Sequence, residues 1–237
     1  MLIERRFRGP ADSANGGYAC GVVAAALEPR PAVEVTLRAP PPLDRALSVA
    51  DADGGVELRD GEQLIAAARP VAALDLAPPP PVTLEAAAQA RRDSPLQERH
   101  PYPSCFVCSP ERVAGDGLRV ICGPVPGRDL VAAPFETADW MAANGTAVRD
   151  ELIWSVLDCP SGIAGMLEPE VGVTMLGRLT AELRSPVVAG EDYVAVGWLT
   201  GRDGRKVHAG SAILDRAGEP LALAAATWIE LRDQRSA

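Results

Sequence analysis

The chain carries SANGGYACGVVAAALE at 13–28 and RDELIWSVLDCPSGIAG at 149–165, two mostly apolar segments that decide how it is organised. Each is typical of a helix that lies between strand-rich stretches. The first begins with the pair Gly16-Gly17, whereas the second carries a carboxylate, Asp158, in its middle. Neither segment has both features. The pattern predicts a duplicated fold whose two halves share one site.

Length and composition set the limits for the fold and the partners. The 237 residues are enough for one large domain or two small ones. Hydrophobic residues make up 47% and aromatic residues only 4%, so Val, Leu, Ile and Ala must fill the core. The net charge of −9 argues against a nucleic-acid binder, which needs a basic surface. An anionic small ligand stays compatible with this charge, because a local arginine cluster can bind phosphate.

The sequence gives no indication of membrane insertion or export. No apolar run reaches the ~20 residues that a transmembrane helix needs. The N-terminal residues MLIERRFRGP lack an apolar core of signal-peptide length. We therefore expect a cytoplasmic protein without a membrane partner. The odd number of cysteines favours free thiols in such a protein. They are Cys20, Cys105, Cys108, Cys122 and Cys159.

The clearest break in the chain is APPPP at 77–81, because four consecutive prolines cannot continue a helix or a central strand. The following VTLEAAAQARR at 82–92 predicts a helix with Thr83 as its N-cap. Proline-punctuated residues follow, so this region is interpreted as a connector. The predicted division is an N-terminal domain at 1–77, a connector with a short helix at 78–104, and a C-terminal domain at 105–237.

The two halves share a layout of several strands behind the helix. Residues 33–71 and 177–231 both alternate between strand-like runs and turn dipeptides. Both carry a Leu-Arg-x-Pro tetrapeptide ahead of the long strands, at Leu37–Pro40 and Leu183–Pro186. The turn signals are DGG at 53–55, DG at 60–61, DG at 203–204 and AG at 217–218. A helix followed by antiparallel strands is an α+β pattern and not the strand–helix alternation of a parallel sheet.

Specific residues resemble the double-hotdog thioesterase-like proteins. Hotdog thioesterases of the phenylacetate-pathway type begin their helix with His-Gly-Gly. A Leu and then an Asp follow on the same helix, with the Asp nine positions after the His. Here Asn15-Gly16-Gly17 matches the first part, with Ala24 at the acid position. In the second half Val156 and Asp158 match the later part, while Arg149-Asp150-Glu151 replaces His-Gly-Gly.

Two further stretches resemble the same group. CFVCSPERVAGDGLRV at 105–120 is similar to the Cys-Phe-x-Cys-Gly…Gly-Leu opening of many thioesterase-like hotdog proteins, and LDCPSGIAG at 157–165 also fits. The resemblance implies two tandem hotdog domains. Each would be a helix wrapped by a curved antiparallel sheet, and together they would form an intramolecular pseudo-dimer.

Four residues are the candidate catalytic group, and each also has a structural interpretation. Gly16 and Gly17 are candidates for an oxyanion hole at a helix N-terminus, where each donor stabilises the transition state by ~3 kcal/mol. In the structural interpretation they only allow a tight helix start. Asn15 is a candidate hydrogen-bond donor to a thioester carbonyl or a water, or is a helix N-cap. Asp158 is a candidate base, or it caps a turn at 159–162.

The resemblance places the Gly-Gly helix start of one half opposite the acid of the other half. The intact combination is therefore Asn15, Gly16 and Gly17 with Asp158, which predicts one site per chain. The predicted function is an acyl-CoA thioesterase-like hydrolase of small or medium acyl thioesters, carried on coenzyme A or an acyl carrier protein. The alternative is a non-catalytic acyl-CoA or lipid-binding hotdog protein. We also consider a homodimer of such chains.

The sequence offers little support for a metal site, a cofactor or another catalytic motif. Cys105 and Cys108 form one CxxC, but a structural zinc site needs two more ligands, and nothing shows that Cys122 or His100 converges on it. We therefore expect no metal, no cofactor and no dependence on zinc. His100 and His208 lack a nucleophile-elbow context, and GxSxG, P-loop and GxGxxG motifs are absent. Candidate partners for coenzyme A phosphates are Arg178, Arg184, Arg202 and Arg205.

Overall fold

The computed structural model describes residues 1–27, 32–143 and 145–231. These residues form three α-helices and ten β-strands. The helices are α1 (Gly16–Ala24), α2 (Leu84–Arg92) and α3 (Asp150–Met166). The strands are β1 (Ala32–Leu37), β2 (Ser48–Ala52), β3 (Gly55–Asp60), β4 (Gln63–Val71), β5 (Gly123–Pro124), β6 (Val131–Glu136), β7 (Thr174–Leu183), β8 (Asp192–Asp203), β9 (Lys206–Leu214) and β10 (Pro220–Glu230). None of the described helices has the length and apolar character to cross a bilayer.

All ten strands belong to one antiparallel sheet with the order β2-β3-β4-β1-β7-β10-β9-β8-β6-β5. The strands after α1 therefore pair in the same sequence as the strands after α3, with β1 to β4 corresponding to β7 to β10. β5 and β6 precede α3 and extend only the second half. The predicted α+β class is confirmed, and the strands of both halves form one continuous sheet.

The two halves meet at β1 and β7, where an approximate twofold relation is visible in the register. Glu34 pairs with Thr180, and each lies three residues before the Leu-Arg-x-Pro tetrapeptide of its own half. The hydrogen bonds of the two tetrapeptides at the ends of β1 and β7 also correspond. The N–H groups of Arg38 and the next residue both donate to the carbonyl of Ile65, and those of Arg184 and the next residue both donate to Leu221. The sequence repeat therefore corresponds to a structural repeat.

The four predicted turn signals all lie between paired strands. Their glycines Gly54, Gly61, Gly204 and Gly218 have φ values of +72°, +59°, +55° and +88°. This left-handed region is costly for residues with a Cβ, so glycine at these positions fixes where each hairpin turns. The predicted hairpins are confirmed in both halves.

Helices α1 and α3 lie against each other so closely that their backbones touch. A Cβ added to Gly21 would lie 2.6 Å from the Cα of Glu151. A Cβ added to Gly17, one turn earlier on the same face, would overlap the carbonyl oxygen of Trp154 and the Cβ of Asp158. Only glycine permits this approach, and the approach brings the middle of α3 to the start of α1.

α3 runs without interruption from Asp150 to Met166, with Pro160 inside it. The alternative that Asp158 caps a turn at 159–162 is therefore wrong. Pro160 lacks the N–H that a helix would direct to the carbonyl of Val156. The helix nevertheless continues because every residue from Leu152 to Gly165 is buried, so tertiary packing outweighs the missing hydrogen bond.

The connector does more than join the halves. Its helix α2 is capped as predicted, since the Thr83 hydroxyl accepts a hydrogen bond from the Ala86 N–H at 3.2 Å. Ala87 and Ala90 are fully buried and belong to a second hydrophobic cluster. That cluster takes alternate residues of the second-half strands, such as Val194 and Val196 of β8, and successive side chains of a strand point to opposite faces. α2 therefore covers the sheet face opposite α3.

The packing of α1 on α3 gives a prediction for stability. We expect Gly21→Ala to lower the free energy of unfolding by about 1–3 kcal/mol, because the new methyl group must push two helix backbones apart. Gly201→Ala is the matched control, since a Cβ there meets no atom within 4 Å. Urea unfolding of both variants measures the difference. Equal stability of the two variants would contradict the close packing.

Candidate functional site

The carboxylate of Asp158 lies at the N-terminal end of α1, with only 2% of the residue exposed. Its Oδ2 accepts hydrogen bonds from Asn15 Nδ2 at 2.9 Å and from the Gly17 N–H at 2.8 Å. The structure thus brings together residues that lie more than 140 positions apart in the sequence. Asn15, Gly16, Gly17 and Asp158 meet as one group built from both halves.

Asn15 uses both ends of its side-chain amide. Its Oδ1 accepts a hydrogen bond from the Tyr18 N–H at 2.9 Å, which makes it the N-cap of α1. Its Nδ2 donates to Asp158. The cap interpretation is confirmed, and the cap also orients the donor that holds the carboxylate.

The two glycines play different parts at the site. The Gly17 N–H is engaged by Asp158, and the Gly17 Cα lets α3 approach. Within the described part of the chain, the N–H of Gly16 has no acceptor, and Gly16 lines the adjacent cavity. Of the two glycine N–H groups at the partly positive helix N-terminus, that of Gly16 is therefore the one not engaged by Asp158.

The second carboxylate oxygen of Asp158, Oδ1, is buried and has no hydrogen-bond partner among the described residues. A buried carboxylate oxygen without a partner is costly. Asp158 also belongs to the residues that line the adjacent cavity. Burial raises the pKa of Asp158 to about 7, while the hydrogen bond from Gly17 acts in the opposite direction.

A cavity of about 360 Å³ opens beside Asp158 and is lined by both halves. Its walls are mostly apolar, with Leu37 at the end of β1, Leu176 of β7, Ile163 of α3 and Trp228 of β10. The Trp228 indole N–H donates to the Ser161 hydroxyl at 3.0 Å, which fixes the ring in the wall. A concave site with mostly apolar walls and a few polar groups is typical of a small-molecule binding site.

The opposite combination of the two helices forms a different environment. Ala24 is buried at the position that corresponds to the acid, and Arg149 pairs with Glu151 at 3.3 Å. Glu151 packs its backbone on Gly21. Ala24, Arg149 and Glu151 are not among the described residues that line the cavity.

Two residues of the connector enter the cavity wall although sequence reasoning did not place them there. His100 Nδ1 accepts a hydrogen bond from the Tyr102 N–H at 2.9 Å, and the Tyr102 hydroxyl donates to the carbonyl of Thr174 at 2.8 Å. Burial lowers the pKa of His100, which favours its neutral form. A proline-rich, irregular segment has no periodicity from which such a position can be derived.

The CxxC cysteines also lie in the wall, together with a third cysteine. The sulfur atoms of Cys105, Cys108 and Cys159 lie within 4.8 Å of one another, and Cys105 Sγ is 3.8 Å from Cys159 Sγ. All five cysteines are free thiols. Sequence reasoning considered Cys122 and His100 as partners of the motif, whereas the structure brings Cys159, the neighbour of Asp158, into the group.

The surface arginines considered for coenzyme A phosphates lie in local ion pairs and hydrogen bonds. Arg178 lies 3.5 Å from Glu34, Arg184 lies 2.6 Å from Glu182 and Arg202 lies 2.7 Å from Glu230. Arg205 donates to the carbonyl of Glu230. None of the four lines the cavity within the described structure, so their part in binding a nucleotide stays a prediction.

Comparison with solved structures identifies the fold. The TesB protein of Mycobacterium avium subspecies paratuberculosis superposes with a TM-score of 0.61 at 10% identity, over 94% of this chain and 89% of that one. The chain is a double hotdog. A phenylacetic acid degradation-related protein from Ralstonia eutropha matches 47% of the double hotdog and 85% of its own chain, with 17% identity and a TM-score of 0.43. The PaaI protein of E. coli matches 44% and 75%, with 11% identity and a TM-score of 0.41.

Neither a family model nor a curated protein matches the sequence of this double hotdog. The fold resemblance drawn from the residues is confirmed by structure alone. At these identities the comparisons establish the architecture, and the chemistry must be argued from the residues of the site.

The double role of Asn15 gives a second prediction. We expect Asn15→Ala to lower the free energy of unfolding by about 2–4 kcal/mol, because it removes the cap of α1 and one of the two donors to a buried carboxylate. Thr83→Ala, which removes only the exposed cap of α2, should cost about 0.5–1 kcal/mol. Urea unfolding of both variants makes the comparison. Similar losses would show that the bond from Asn15 to Asp158 contributes nothing.

Proposed function

We propose that this double hotdog hydrolyses small or medium acyl thioesters of coenzyme A or an acyl carrier protein, at one composite site per chain. The observation that carries the proposal is Asp158, a residue of the wall of an apolar cavity whose Oδ1 is buried and without a partner in the described structure. Gly16, whose N–H has no acceptor among the described residues, lines the same cavity. A base and an oxyanion donor beside an apolar cavity are the groups that thioester hydrolysis requires.

The arrangement supports a direct mechanism. The acyl chain occupies the cavity, and its thioester carbonyl oxygen accepts a hydrogen bond from the Gly16 N–H at the positive end of α1. Asp158 Oδ1 takes a proton from a water molecule as the water oxygen bonds to the carbonyl carbon. The C–S bond then breaks, and the proton passes from Asp158 to the departing thiolate. Asn15 and Gly17 donate hydrogen bonds to Oδ2 throughout, so the orientation of the carboxylate is kept.

The cavity volume supports the size range of the acyl group. Its 360 Å³ lies near the lower end of the ~300–1,000 Å³ that ligand pockets span. Residues such as Leu176, Ile163 and Trp228 offer the chain no charged group. The specificity that we propose is therefore for short or medium apolar acyl groups.

One observation supports the alternative of acyl-thioester binding without catalysis. Asn15 and Gly17 are candidate donors to the thioester carbonyl, yet both donate to Asp158. Only Gly16 retains a free N–H in the described site. Saturable acyl-CoA binding without release of free thiol, across a panel of acyl lengths, would establish the binding protein and reject the hydrolase.

The role of Asp158 is tested by a single substitution. We expect Asp158→Asn to reduce turnover by ~10²-fold or more, the range for a positioned acid–base group. An amide oxygen can still accept from Asn15 and Gly17, so the variant should fold. The measurement is free-thiol release from a panel of acyl-CoA substrates.

Glu151→Gln is the matched control, because it makes the same carboxylate-to-amide change on the same helix in the opposite combination. We expect this variant to change turnover little. Unchanged turnover in Asp158→Asn, or a large loss confined to Glu151→Gln, would reject the single site.

The one-site arrangement makes a further prediction. Ala24→Asp should not restore turnover to Asp158→Asn, because the corresponding helix start is Arg149-Asp150-Glu151 and lacks the glycine donors. The double variant is assayed under the same conditions as Asp158→Asn. Recovery of even a tenth of the wild-type rate would show that both combinations are competent.

A further inference from the structure

Three sulfur atoms from distant parts of the chain converge in the cavity wall. Cys105 and Cys108 follow the connector, and Cys159 lies in α3. Their Sγ atoms all lie within 4.8 Å of one another, and the Cys105–Cys159 separation is 3.8 Å. All three residues are buried, and none forms a disulfide.

The distance between the Cys105 and Cys159 sulfur atoms distinguishes a shared metal ion from a disulfide. A tetrahedral zinc ion holds thiolates at about 2.3 Å, which places two bound sulfurs about 3.8 Å apart. A disulfide instead requires about 2.05 Å between the sulfurs. The Cys105–Cys159 separation of 3.8 Å therefore matches two ligands of one ion and not a covalent bond.

One neighbouring hydrogen-bond donor lies beside the cluster. Asn15 Nδ2 is 3.7 Å from the Cys159 sulfur. Such a donor stabilises negative sulfur and orients it. Three buried thiolates would repel one another strongly, however, and a bound dication removes that cost.

The fourth coordination position faces the cavity, because all three cysteines line it. His100 is the nearby imidazole, but its Nδ1 accepts the Tyr102 N–H. In that neutral tautomer Nε2 carries the proton, so neither nitrogen has a free lone pair for a metal. Cys122 is not a member of the cluster. The fourth ligand would therefore be a water or a small molecule from the cavity.

We propose that Cys105, Cys108 and Cys159 bind one thiophilic divalent cation, with zinc as the best fit, and leave one coordination position open to the cavity. Binding releases up to three thiol protons to solvent, one for each sulfur. The ion ties the start of the second domain to α3 directly beside Asp158. This site does not depend on the proposed hydrolysis, and it contradicts the expectation of zinc independence, which overlooked Cys159.

Metal analysis of the protein purified without added metal tests the proposal. We expect about one zinc per chain in the wild type and at least a tenfold lower zinc content in Cys159→Ser. Cys122→Ser is the matched control, since it removes a buried thiol outside the cluster and should retain the zinc. An equal zinc content in Cys159→Ser and the wild type would overturn the assignment, as would an equal loss in the two variants.

A second measurement requires no variant and decides the question if Cys159→Ser does not fold. Cobalt added to the metal-free wild type should give the visible bands of a tetrahedral ion and sulfur-to-cobalt charge-transfer absorption of an intensity that fits three thiolates. Stoichiometric zinc should displace the cobalt and abolish both. The absence of charge-transfer absorption would reject the site. Because neither experiment measures turnover, failure of the hydrolase proposal leaves both interpretable.

Discussion

The close approach of α1 and α3 is the constraint on which the rest of the structure depends. Gly17 and Gly21 bring the two helix backbones into contact, since a Cβ at either position would overlap α3. This contact supplies the shared core of the two halves. It also carries Asp158 to the N-terminus of α1, where Oδ2 meets the Gly17 N–H at 2.8 Å. The same glycine therefore provides both the space and the donor, so helix packing and site geometry cannot be changed separately.

The sheet is nearly symmetric, whereas the site is not. β1 and β7 pair about Glu34 and Thr180, and the strands of the two halves follow in matching order. A symmetric pair of helices would produce two equivalent sites. Here the glycine start belongs to α1 and the buried acid to α3. Both halves keep the helix-on-sheet packing, because packing needs only apolar volume. The polar groups of the site occur in one combination only, the start of α1 with the middle of α3.

The cavity wall combines two kinds of chemistry on adjacent residues of α3. Asp158 has a buried carboxylate oxygen without a partner in the described parts of the chain, and the sulfur of Cys159 lies 3.8 Å from that of Cys105. Pro160 follows, and the helix continues because it is buried. The connector completes this wall with His100 and Tyr102. Chain segments that join the domains thus contribute to the site as well as to the covering of the sheet.

The sequence by itself determined what depends on local interactions. Turn glycines such as Gly54, the Thr83 cap of α2 and the paired Leu-Arg-x-Pro segments were predictable, because backbone conformation and capping act over a few residues. The fold class followed from their repetition. Only the tertiary structure decided that the helix continues through Pro160 instead of turning at 159–162, that Cys159 joins the CxxC and that one oxygen of Asp158 has no partner among the described residues. Burial and convergence between distant segments fix those features, and no local pattern encodes them.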